Sequence, residues 1–250
     1  MSISKKYITP PFLEAICRFR FATHEGVSLF QVIDDFYQTI KSDFPKKSIL
    51  TSRGLNVDIE NFDEIGPLRE DIELFKFYNE TGNLIVQIGE TVLTVNHLRP
   101  YSSWENYSTT VLSILKRFGS VFKFNLFAKV AIRYLNKIDI SSDEFDLEDY
   151  FNLKLQVPHE MESTLMGGFD IRSNLWTEDR QNVYTLALKT APGNNDKSYS
   201  FIFELGYFNA DDGIKIDEID NWFDNAHECL NKAFESTLTP KCKLIFDEGK

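Results

Sequence analysis

The sequence predicts an α+β protein in which long helices pack mainly on one face of an antiparallel sheet. The first observation is strict alternation of apolar and polar residues over 124–140, FNLFAKVAIRYLNKIDI, a run rich in aromatic and β-branched side chains. The second is a series of shorter alternating segments between turn residues, and the third is helical spacing of apolar residues in three segments. We expect residues 124–140 to form a central strand with one apolar face and one mixed face.

The first half of the chain is predicted to begin with a strand and a helix. Residues 12–22, FLEAICRFRFA, alternate as a strand that places Cys17 and Phe19 on one face and both arginines on the other. A helix follows from Ser28, which has capping-box spacing to Gln31, and ends near residue 45.

A strand over 48–53 and an acidic loop over 58–67 are predicted next. Three segments that alternate between turn residues are then expected to form an antiparallel meander: 72–78, 84–88 and 91–97. A second helix is predicted over 101–119, where Ser102 and Glu105 have capping-box spacing, and it leads into the central strand.

The second half is predicted to contain one helical turn over 146–151 and a long helix over 217–237, whose acidic first turn suits the helix dipole. Residues 241–246 are predicted to return as a short edge strand. Four strands are expected between the two helical segments: 152–157, 163–176, 182–190 and 198–207.

Two domain organisations are compatible with these elements: a single domain over 1–250, or two intimately packed halves, 1–120 and 121–250. Each half begins with a strand that contains arginine (EAICRFRF and KVAIRYLN), continues through a meander and ends in an aromatic-rich helix. This order is the pattern of a two-fold internal pseudo-repeat. No Gly/Ser-rich or Pro-rich linker separates the halves.

Composition restricts the class of protein. Hydrophobic residues make up 42% of the 250 positions, with 22 Phe and 10 Tyr, which excludes a mainly disordered chain. A net charge of −11 argues against nucleic-acid binding, because phosphate contacts need clustered Lys and Arg. The acidic balance fits a solvated surface or a basic protein partner.

The cysteines and the terminus predict a cytoplasmic protein that does not enter a membrane. Cys17, Cys229 and Cys242 are an odd set without CxxC spacing, which indicates unpaired thiols in a reducing compartment. The N-terminal residues lack the apolar run of a signal peptide, and no segment has the length needed to cross a bilayer.

The motifs predict no catalytic residue, no metal site and no cofactor. The four histidines have no metal-ligand spacing, and the sequence contains no GxSxG, Walker A or GxGxxG motif. Acidic clusters at 58–64, 143–149 and 211–212 have the chemistry to bind Mg²⁺, but they lie in loops and helix starts where solvation suffices.

One set of side chains on the predicted strands is unusual. An arginine on a sheet face must be paired, extended to solvent or directed at a ligand, because an unpaired buried charge costs about 3–5 kcal/mol. One interpretation is internal pairing, for instance with Glu14 or Glu204. The other is a shallow site for an anion or a partner on the uncovered face of the sheet. The residues concerned are Arg18, Arg20, Arg133, Asn136 and Lys137.

Four segments resemble, in their order, an uncharacterised family that is sporadically distributed among bacteria and archaea. They are PPFLEAICRFRF, LTVNHLRPYSSWENY, IRYLNKIDI followed by LEDYF, and HECLNKAFESTLT, and together they span nearly the whole chain. The resemblance carries no activity or catalytic residue, but scattered occurrence implies an accessory gene that travels between genomes, as defence and toxin–antitoxin components do. The motif residues are Pro11, Glu14, Asn96, Pro100, Tyr101, Trp104, Arg133, Tyr134, Asn136 and Lys137.

Two functions are therefore considered, and the first is favoured. It is a non-enzymatic interaction or regulatory protein, an accessory component of a mobile defence or toxin–antitoxin type system, that binds a protein partner, with a co-encoded protein as the first candidate. Self-association through a sheet face with exposed aromatic side chains is compatible with this function. The second is a nucleotide or phosphate sensor, or a metal-dependent hydrolase, that uses Arg18, Arg20 and Arg133. The candidate binding residues are Glu14, Arg18, Arg20, Asn96, Tyr101, Trp104, Arg133, Asn136 and Lys137.

Overall fold

The computed structural model confirms the α+β class with a large antiparallel sheet. It describes residues 7–22, 29–60, 72–123, 126–141, 145–156, 168–193, 198–210 and 213–247. The sheet contains ten strands, and two further short strands pair with each other outside it.

The twelve strands described are β1 (Phe12–Arg20), β2 (Lys46–Thr51), β3 (Asn56–Asp58), β4 (Ile72–Tyr78), β5 (Leu84–Gly89), β6 (Val92–Leu98), β7 (Leu126–Phe127), β8 (Lys129–Ser141), β9 (Asp170–Trp176), β10 (Asn182–Ala191), β11 (Ser198–Asn209) and β12 (Ile214–Lys215). The α-helices in the same residues are α1 (Leu29–Ile40), α2 (Trp104–Phe122), α3 (Leu147–Tyr150), α4 (Ile219–Thr237) and α5 (Pro240–Asp247). A short 3₁₀ segment, Ile216–Glu218, precedes α4.

The ten strands of the sheet follow the order β3-β2-β4-β5-β6-β1-β8-β11-β10-β9. The predicted meander is present, because β4 pairs with β5 and β5 with β6, both antiparallel. Gly82 lies in the β4–β5 turn with a φ of 74°, a conformation that glycine adopts without the steric cost of a side chain. The central-strand prediction for the arginine-containing segment is confirmed by β8, which lies between β1 and β11.

The chain divides into two compact units. The first unit comprises Glu14–Ile132 and Phe208–Asp224, and the second comprises Met1–Leu13, Arg133–Tyr207 and Asn225–Lys250. Each unit therefore takes segments from both of the predicted halves. The choice between one domain and two halves stays a prediction.

The core of the first unit lies between one face of its strands and the helices α1 and α2. In β1 the residues Ala15, Cys17 and Phe19 are fully buried, as the alternation predicts. The Phe36 ring of α1 contacts those of Phe77 and Phe118 at centroid distances of 6.3 and 5.4 Å, which joins the two helices to β4. Such aromatic pairs contribute beyond the area they bury.

The hydroxyl group of Tyr107 fixes α2 to two strands of this unit. It donates a hydrogen bond to the carbonyl oxygen of Val95 at 2.7 Å and accepts one from the backbone N–H of Cys17 at 3.0 Å. Cys17 and Val95 are direct cross-strand partners of β1 and β6. The hydroxyl therefore bridges two backbone groups that burial removes from water.

The core of the second unit is also aromatic. Phe203 of β11 stacks on Phe234 of α4 at 6.0 Å, and Phe201 contacts Phe151 at 5.5 Å. Tyr7 approaches the Phe246 ring of α5 at 5.4 Å, edge to face. The alternation of β11 predicts this arrangement, because Phe201 and Phe203 occupy the same face of the strand.

The prediction of an edge strand at 241–246 is wrong, because these residues belong to α5. The helix begins at Pro240, and the hydroxyl of Thr239 accepts a hydrogen bond from the N–H of Cys242 at 3.2 Å. Threonine at the N-cap followed by proline at the first helical position favours a helix start. Cys242 and Phe246, four residues apart, are both buried.

The prediction of a strand over 152–157 is wrong for the residues described, 152–156. The N–H and side-chain amide of Asn152 donate to the carbonyl oxygens of Thr237 and Ser236, both at 2.7 Å. The segment thus satisfies carbonyl groups in the last turn of α4, which have no partner within the helix. The strand predicted over 163–176 begins at Asp170, and 163–167 lie outside the described residues.

The run predicted as one strand over 124–140 is divided. Leu126 and Phe127 pair with β12, whereas β8 begins at Lys129 and continues to Ser141. The side chain of Asn209 accepts from the N–H of Val130 at 2.7 Å and donates to the carbonyl of Ala128 at 3.3 Å, which stabilises the backbone at the break. Residues 124 and 125 lie outside the described part of the chain.

The predicted helices are present with shifted ends. Helix α2 covers 104–122 rather than 101–119, and its N-cap is Ser103, whose side chain accepts from the N–H of Asn106, rather than Ser102. Either serine could cap, and it is Ser103 that has extended backbone angles. Helix α1 ends at Ile40, and the predicted cap Ser28 lies outside the described residues.

We predict that Tyr107→Phe lowers the free energy of unfolding by about 1–3 kcal/mol, because the buried backbone groups of Cys17 and Val95 lose the bridging hydroxyl. Urea denaturation followed by circular dichroism measures the change. Tyr199→Phe is the matched control, because Tyr199 is 39% exposed and should lose much less stability. Equal effects of the two substitutions would contradict a bridging role for the Tyr107 hydroxyl.

Candidate functional site

The candidate residues of the first unit lie mainly on the face of the sheet opposite its helical core. We call this the polar face: the face of β1, β6, β5 and β4 that carries Glu14, Arg18, Arg20, Asn96, Gln87 and Lys76. The strand register places four polar side chains in one row across β4, β5, β6 and β1, namely Lys76, Gln87, Thr94 and Arg18.

Three side chains of the polar face form a continuous hydrogen-bond chain across three strands. The amide of Gln87 donates to Oδ1 of Asn96 at 2.9 Å, and Nδ2 of Asn96 donates to Oε1 of Glu14 at 2.6 Å. Asn96 is buried, so both ends of its amide are satisfied by protein groups rather than by bulk water. The chain holds the Glu14 carboxylate in a fixed position on the face.

Arg18 and Arg20 are the exposed members of the polar face. Both lie on β1, opposite Thr94 and Val92 of β6. Their strand has neighbours on both sides, β6 and β8, so these guanidinium groups reach solvent from the interior of the sheet rather than from its edge. A partner can therefore approach these two cations directly.

Tyr101 and Trp104 lie in an aromatic cluster around the start of α2 rather than beside the arginines. Both rings contact Tyr107, at 6.1 and 6.2 Å, and His97 contacts the Tyr101 ring at 5.0 Å. Nε1 of Trp104 donates to Asp224 at 3.4 Å. Burial lowers the pKa of His97 and so favours the neutral imidazole. These contacts indicate a structural role for both candidate aromatic residues.

Arg133 lies in the second unit, where it forms an ion pair with Glu204. Its Nη2 atom lies 2.9 Å from Oε1 of Glu204, and Arg172 of β9 places Nη1 and Nη2 at 3.2 and 3.1 Å from the two carboxylate oxygens. The Glu204 side chain is only 9% exposed. Two guanidinium groups on one buried carboxylate satisfy its lone pairs and leave one net positive charge.

The two arginines determine the ionisation of Glu204. Burial by itself would raise the pKa of this carboxyl group, but the hydrogen bonds from Arg172 and Arg133 outweigh burial and lower it. The same interaction raises the pKa of Arg172. Internal pairing, one of the two interpretations of the strand arginines, therefore applies to Arg133.

The remaining candidates of β8 are on opposite faces. Nζ of Lys137 lies 3.2 Å from Asp139, which also accepts a hydrogen bond from Ser200 at 2.5 Å. Asn136 is buried on the other side of the strand, where its amide donates to the carbonyl of Phe203 at 3.3 Å. The structure thus separates Asn136 from Lys137 and gives it a structural contact.

The cysteine thiols that are buried are not poised as nucleophiles. Burial raises the pKa of Cys17 and of Cys242 to about 12, which keeps both thiols protonated near neutral pH. Cys229 is the third free cysteine. Among the residues described, no three His, Cys, Asp or Glu side chains come together as a group that could hold a metal ion.

Sequence reasoning did not identify two residues of these networks. Arg172 was assigned only to a predicted strand, and Gln87 only to the meander. The available signal was Glu204 itself, a lone acidic residue within the apolar run SFIFELGYF, which requires a cationic partner when buried. Choosing that partner among the arginines requires the strand order, which the alternation does not supply.

No family model matches the chain, and no curated protein matches it. In the ranges that the structure describes, none of the helices combines the length and the hydrophobicity needed to cross a membrane.

We predict that Glu204→Gln lowers the free energy of unfolding by about 1–3 kcal/mol at pH 7, because it removes the charge that Arg133 and Arg172 share. The pKa of Glu204 is lower in the folded state than its ordinary value of 4.5, so its contribution is complete above that pH. As the pH falls through the lowered value, folded Glu204 takes up a proton and the stabilisation is lost. The difference between wild type and variant should therefore shrink below about pH 4.5.

Urea denaturation of both proteins from pH 7 down to pH 3 tests this expectation. Glu228→Gln is the control, because Glu228 also pairs with a cation, Lys232 at 2.6 Å, but is an exposed helical pair and should contribute far less. A wild-type advantage over Glu204→Gln that persists unchanged into acid would exclude the assigned ion pair as its cause.

Proposed function

We propose that this chain is a non-enzymatic interaction protein that binds a protein partner through the polar face. The observation that carries the proposal is the exposure of Arg18 and Arg20 on β1, a strand with neighbours on both sides. Charged side chains exposed within a ten-stranded sheet mean that this part of the face is accessible. The surface also has a fixed shape, since the hydrogen-bond chain from Gln87 to Glu14 holds three of its side chains in position.

The charge of the polar face favours an acidic partner surface. Arg18, Arg20 and Lys76 share the face with one acidic residue of the network, Glu14, whereas the whole chain carries −11. A cationic patch on an acidic protein steers association toward acidic groups of a partner. Guanidinium groups also pair with carboxylates in two-point geometry, which adds specificity.

A phosphate or nucleotide sensor, or a metal-dependent hydrolase, is the second candidate function, and it is less well supported. It requires Arg133 beside Arg18 and Arg20, but the Arg133 guanidinium is engaged by Glu204 at 2.9 Å. Releasing it would leave a nearly buried carboxylate with Arg172 alone, at a cost of a few kcal/mol. Arg18 and Arg20 remain as the residues that could contact an anion.

The biological setting of the proposal comes from the sequence resemblance. We propose a cytoplasmic accessory component of a mobile defence or toxin–antitoxin type system, whose partner is encoded nearby. The three free cysteines fit a reducing compartment. Membership in the sporadically distributed family is proposed on the same motif residues and adds no chemistry of its own.

An internal pseudo-repeat, with helices mainly on one face of the sheet, is part of the same proposal. In the first half of the chain the meander β4-β5-β6 ends beside β1 and is followed by α2. In the second half β9-β10-β11 ends beside β8 and is followed by α4. The shared order supports duplication, with α1, β2 and β3 as additions in the first copy. The contacts of Phe36 with Phe77 and of Phe234 with Phe203 support helices on the buried face in each unit.

We predict that the double substitution Arg18→Glu and Arg20→Glu weakens partner binding by about 100-fold or more, because two attractive charges become repulsive. The proteins encoded beside the gene are co-expressed with the chain, and the complex is quantified by isothermal titration calorimetry. The control is Lys41→Glu with Lys116→Glu, which makes the same charge change on exposed residues outside the polar face. Thermal unfolding should be similar for the two double variants.

Two results would contradict the proposal. Undiminished binding by the Arg18→Glu and Arg20→Glu protein would exclude the polar face as the interface. The second contradicting result has two parts. The chain forms no complex with any protein encoded beside its gene, and nucleotides or divalent ions stabilise it against unfolding. Ligand at a hundredfold excess over its Kd should add about 2.7 kcal/mol of stability, so a thermal-shift screen detects the sensor or hydrolase alternative.

A further inference from the structure

Strand β9 is an exposed edge of the sheet. Within the residues described it has a neighbour on one side only, β10, whereas the opposite edge of the sheet is the three-residue strand β3. Six of the seven β9 residues are exposed, including Leu175 at 53% and Trp176 at 57%. Sheets commonly protect their edges by short strands, proline or charged side chains. Strand β9 is seven residues long and contains no proline, and the guanidinium group of its Arg172 is engaged by Glu204 within the sheet.

The hydrogen bonds to β10 establish which backbone groups of β9 point outward. The N–H of Thr177 donates to Asn182, and the carbonyl of Phe169 accepts from Thr190, both at about 3 Å. In an antiparallel pair, alternate residues direct both backbone groups to the same neighbour. Odd-numbered residues of the strand therefore face β10. The outward N–H and C=O groups belong to Asp170, Arg172, Asn174 and Trp176.

We propose that β9 pairs with β9 of a second copy of this chain, antiparallel and centred on Ser173. In this register the outward residues meet each other: Arg172 faces Asn174 of the second copy, and Asp170 faces its Trp176. These are hydrogen-bonded pairs, each of which exchanges two backbone bonds. All four outward residues of each copy are used, which is the greatest number that the strand allows.

The side chains of β9 are complementary to themselves in the same register. Ile171 lies opposite Leu175 of the second copy, twice in the symmetric pair, and Ser173 lies opposite itself. These are the non-hydrogen-bonded positions, where side chains approach most closely. Apolar residues thus meet apolar residues, and the smallest side chain of the three lies on the two-fold axis.

A shift of the register by two residues loses this complementarity. A pair centred on Arg172 would place two guanidinium groups directly opposite each other, and like charges at that position are destabilising. Arg172 also cannot move freely, because it crosses its cross-strand neighbour Ala187 to reach Glu204 on β11. The ion pair thus joins the middle of β9 to β11.

The dimer should be weak, because one strand pair and its flanking side chains form an interface below the usual size of a stable complex. The charge of −11 on each copy adds repulsion, which physiological salt screens beyond about 8 Å. We expect a dissociation constant in the micromolar range. The proposal is independent of the polar face, since β9 lies in the other unit.

Sedimentation velocity of the full chain over a concentration series tests the proposal. Wild type should shift from monomer to dimer, and Leu175→Lys should weaken dimerisation by at least about tenfold, because it places a charge opposite Ile171. Leu244→Lys is the matched control, since Leu244 of α5 is 55% exposed and the chemical change is identical. It should dimerise like wild type.

Disulfide formation tests the register without relying on a destabilising substitution. In a Cys229→Ser background, Ser173→Cys should crosslink two copies under mild oxidation, because the two Cβ atoms face each other at a non-hydrogen-bonded position. Asn174→Cys is the control, since Asn174 faces Arg172 of the second copy rather than itself. The remaining cysteines, Cys17 and Cys242, are fully buried.

Four outcomes would overturn the proposal. Wild type that stays monomeric at hundreds of micromolar would exclude the dimer. Equal weakening by Leu175→Lys and Leu244→Lys would place association elsewhere. Crosslinking of Ser173→Cys no faster than that of Asn174→Cys would exclude the register centred on Ser173. The fourth is a chain that stays monomeric but binds a different protein, with that binding lost in the Leu175→Lys variant. This result would assign the edge to a strand of that partner.

Discussion

The buried carboxylate of Glu204 imposes the strictest electrostatic constraint described in the sheet. A charge that is 9% exposed must be neutralised where it lies, and two guanidinium groups from β8 and β9 do so. This requirement fixes Arg133, which would otherwise be available to an anion, and it ties the edge strand β9 to β11 across β10. The same triad therefore bears on both proposals, the function assigned to the polar face and the pairing of the exposed edge.

The polar face of the first unit contains a buried polar residue that carries no charge. This residue, Asn96, is satisfied by Gln87 and Glu14, so the network needs no arginine to balance it. Arg18 and Arg20 are exposed on the same face. Arg133 is therefore engaged by a buried carboxylate, whereas Arg18 and Arg20 are exposed on the polar face, although the sequence analysis treated the three arginines as one group.

The periodicity of apolar residues predicted the type of most elements and the side of each element that is buried. Alternation along a strand and helical spacing along a helix both predict which face a residue occupies. The buried faces of β1, β8 and β11 are as predicted. Short apolar segments were ambiguous: 241–246 was interpreted as a strand although Thr239 and Pro240 signal a helix start. The pairing of Glu204 with Arg172 depends on strand order and register over 32 residues of sequence, which no local pattern encodes.

The two proposed associations, at the polar face and at the β9 edge, should depend on charge in opposite ways. The proposed recognition by Arg18 and Arg20 depends on attraction to an acidic partner, which salt screens. Edge pairing at β9 must instead overcome the repulsion between two copies that each carry a charge of −11, and it relies on backbone hydrogen bonds and apolar contacts that salt does not weaken. Rising ionic strength should therefore weaken the first association and strengthen the second. This opposition separates the two surfaces physically, because a single interface cannot respond to salt in both directions.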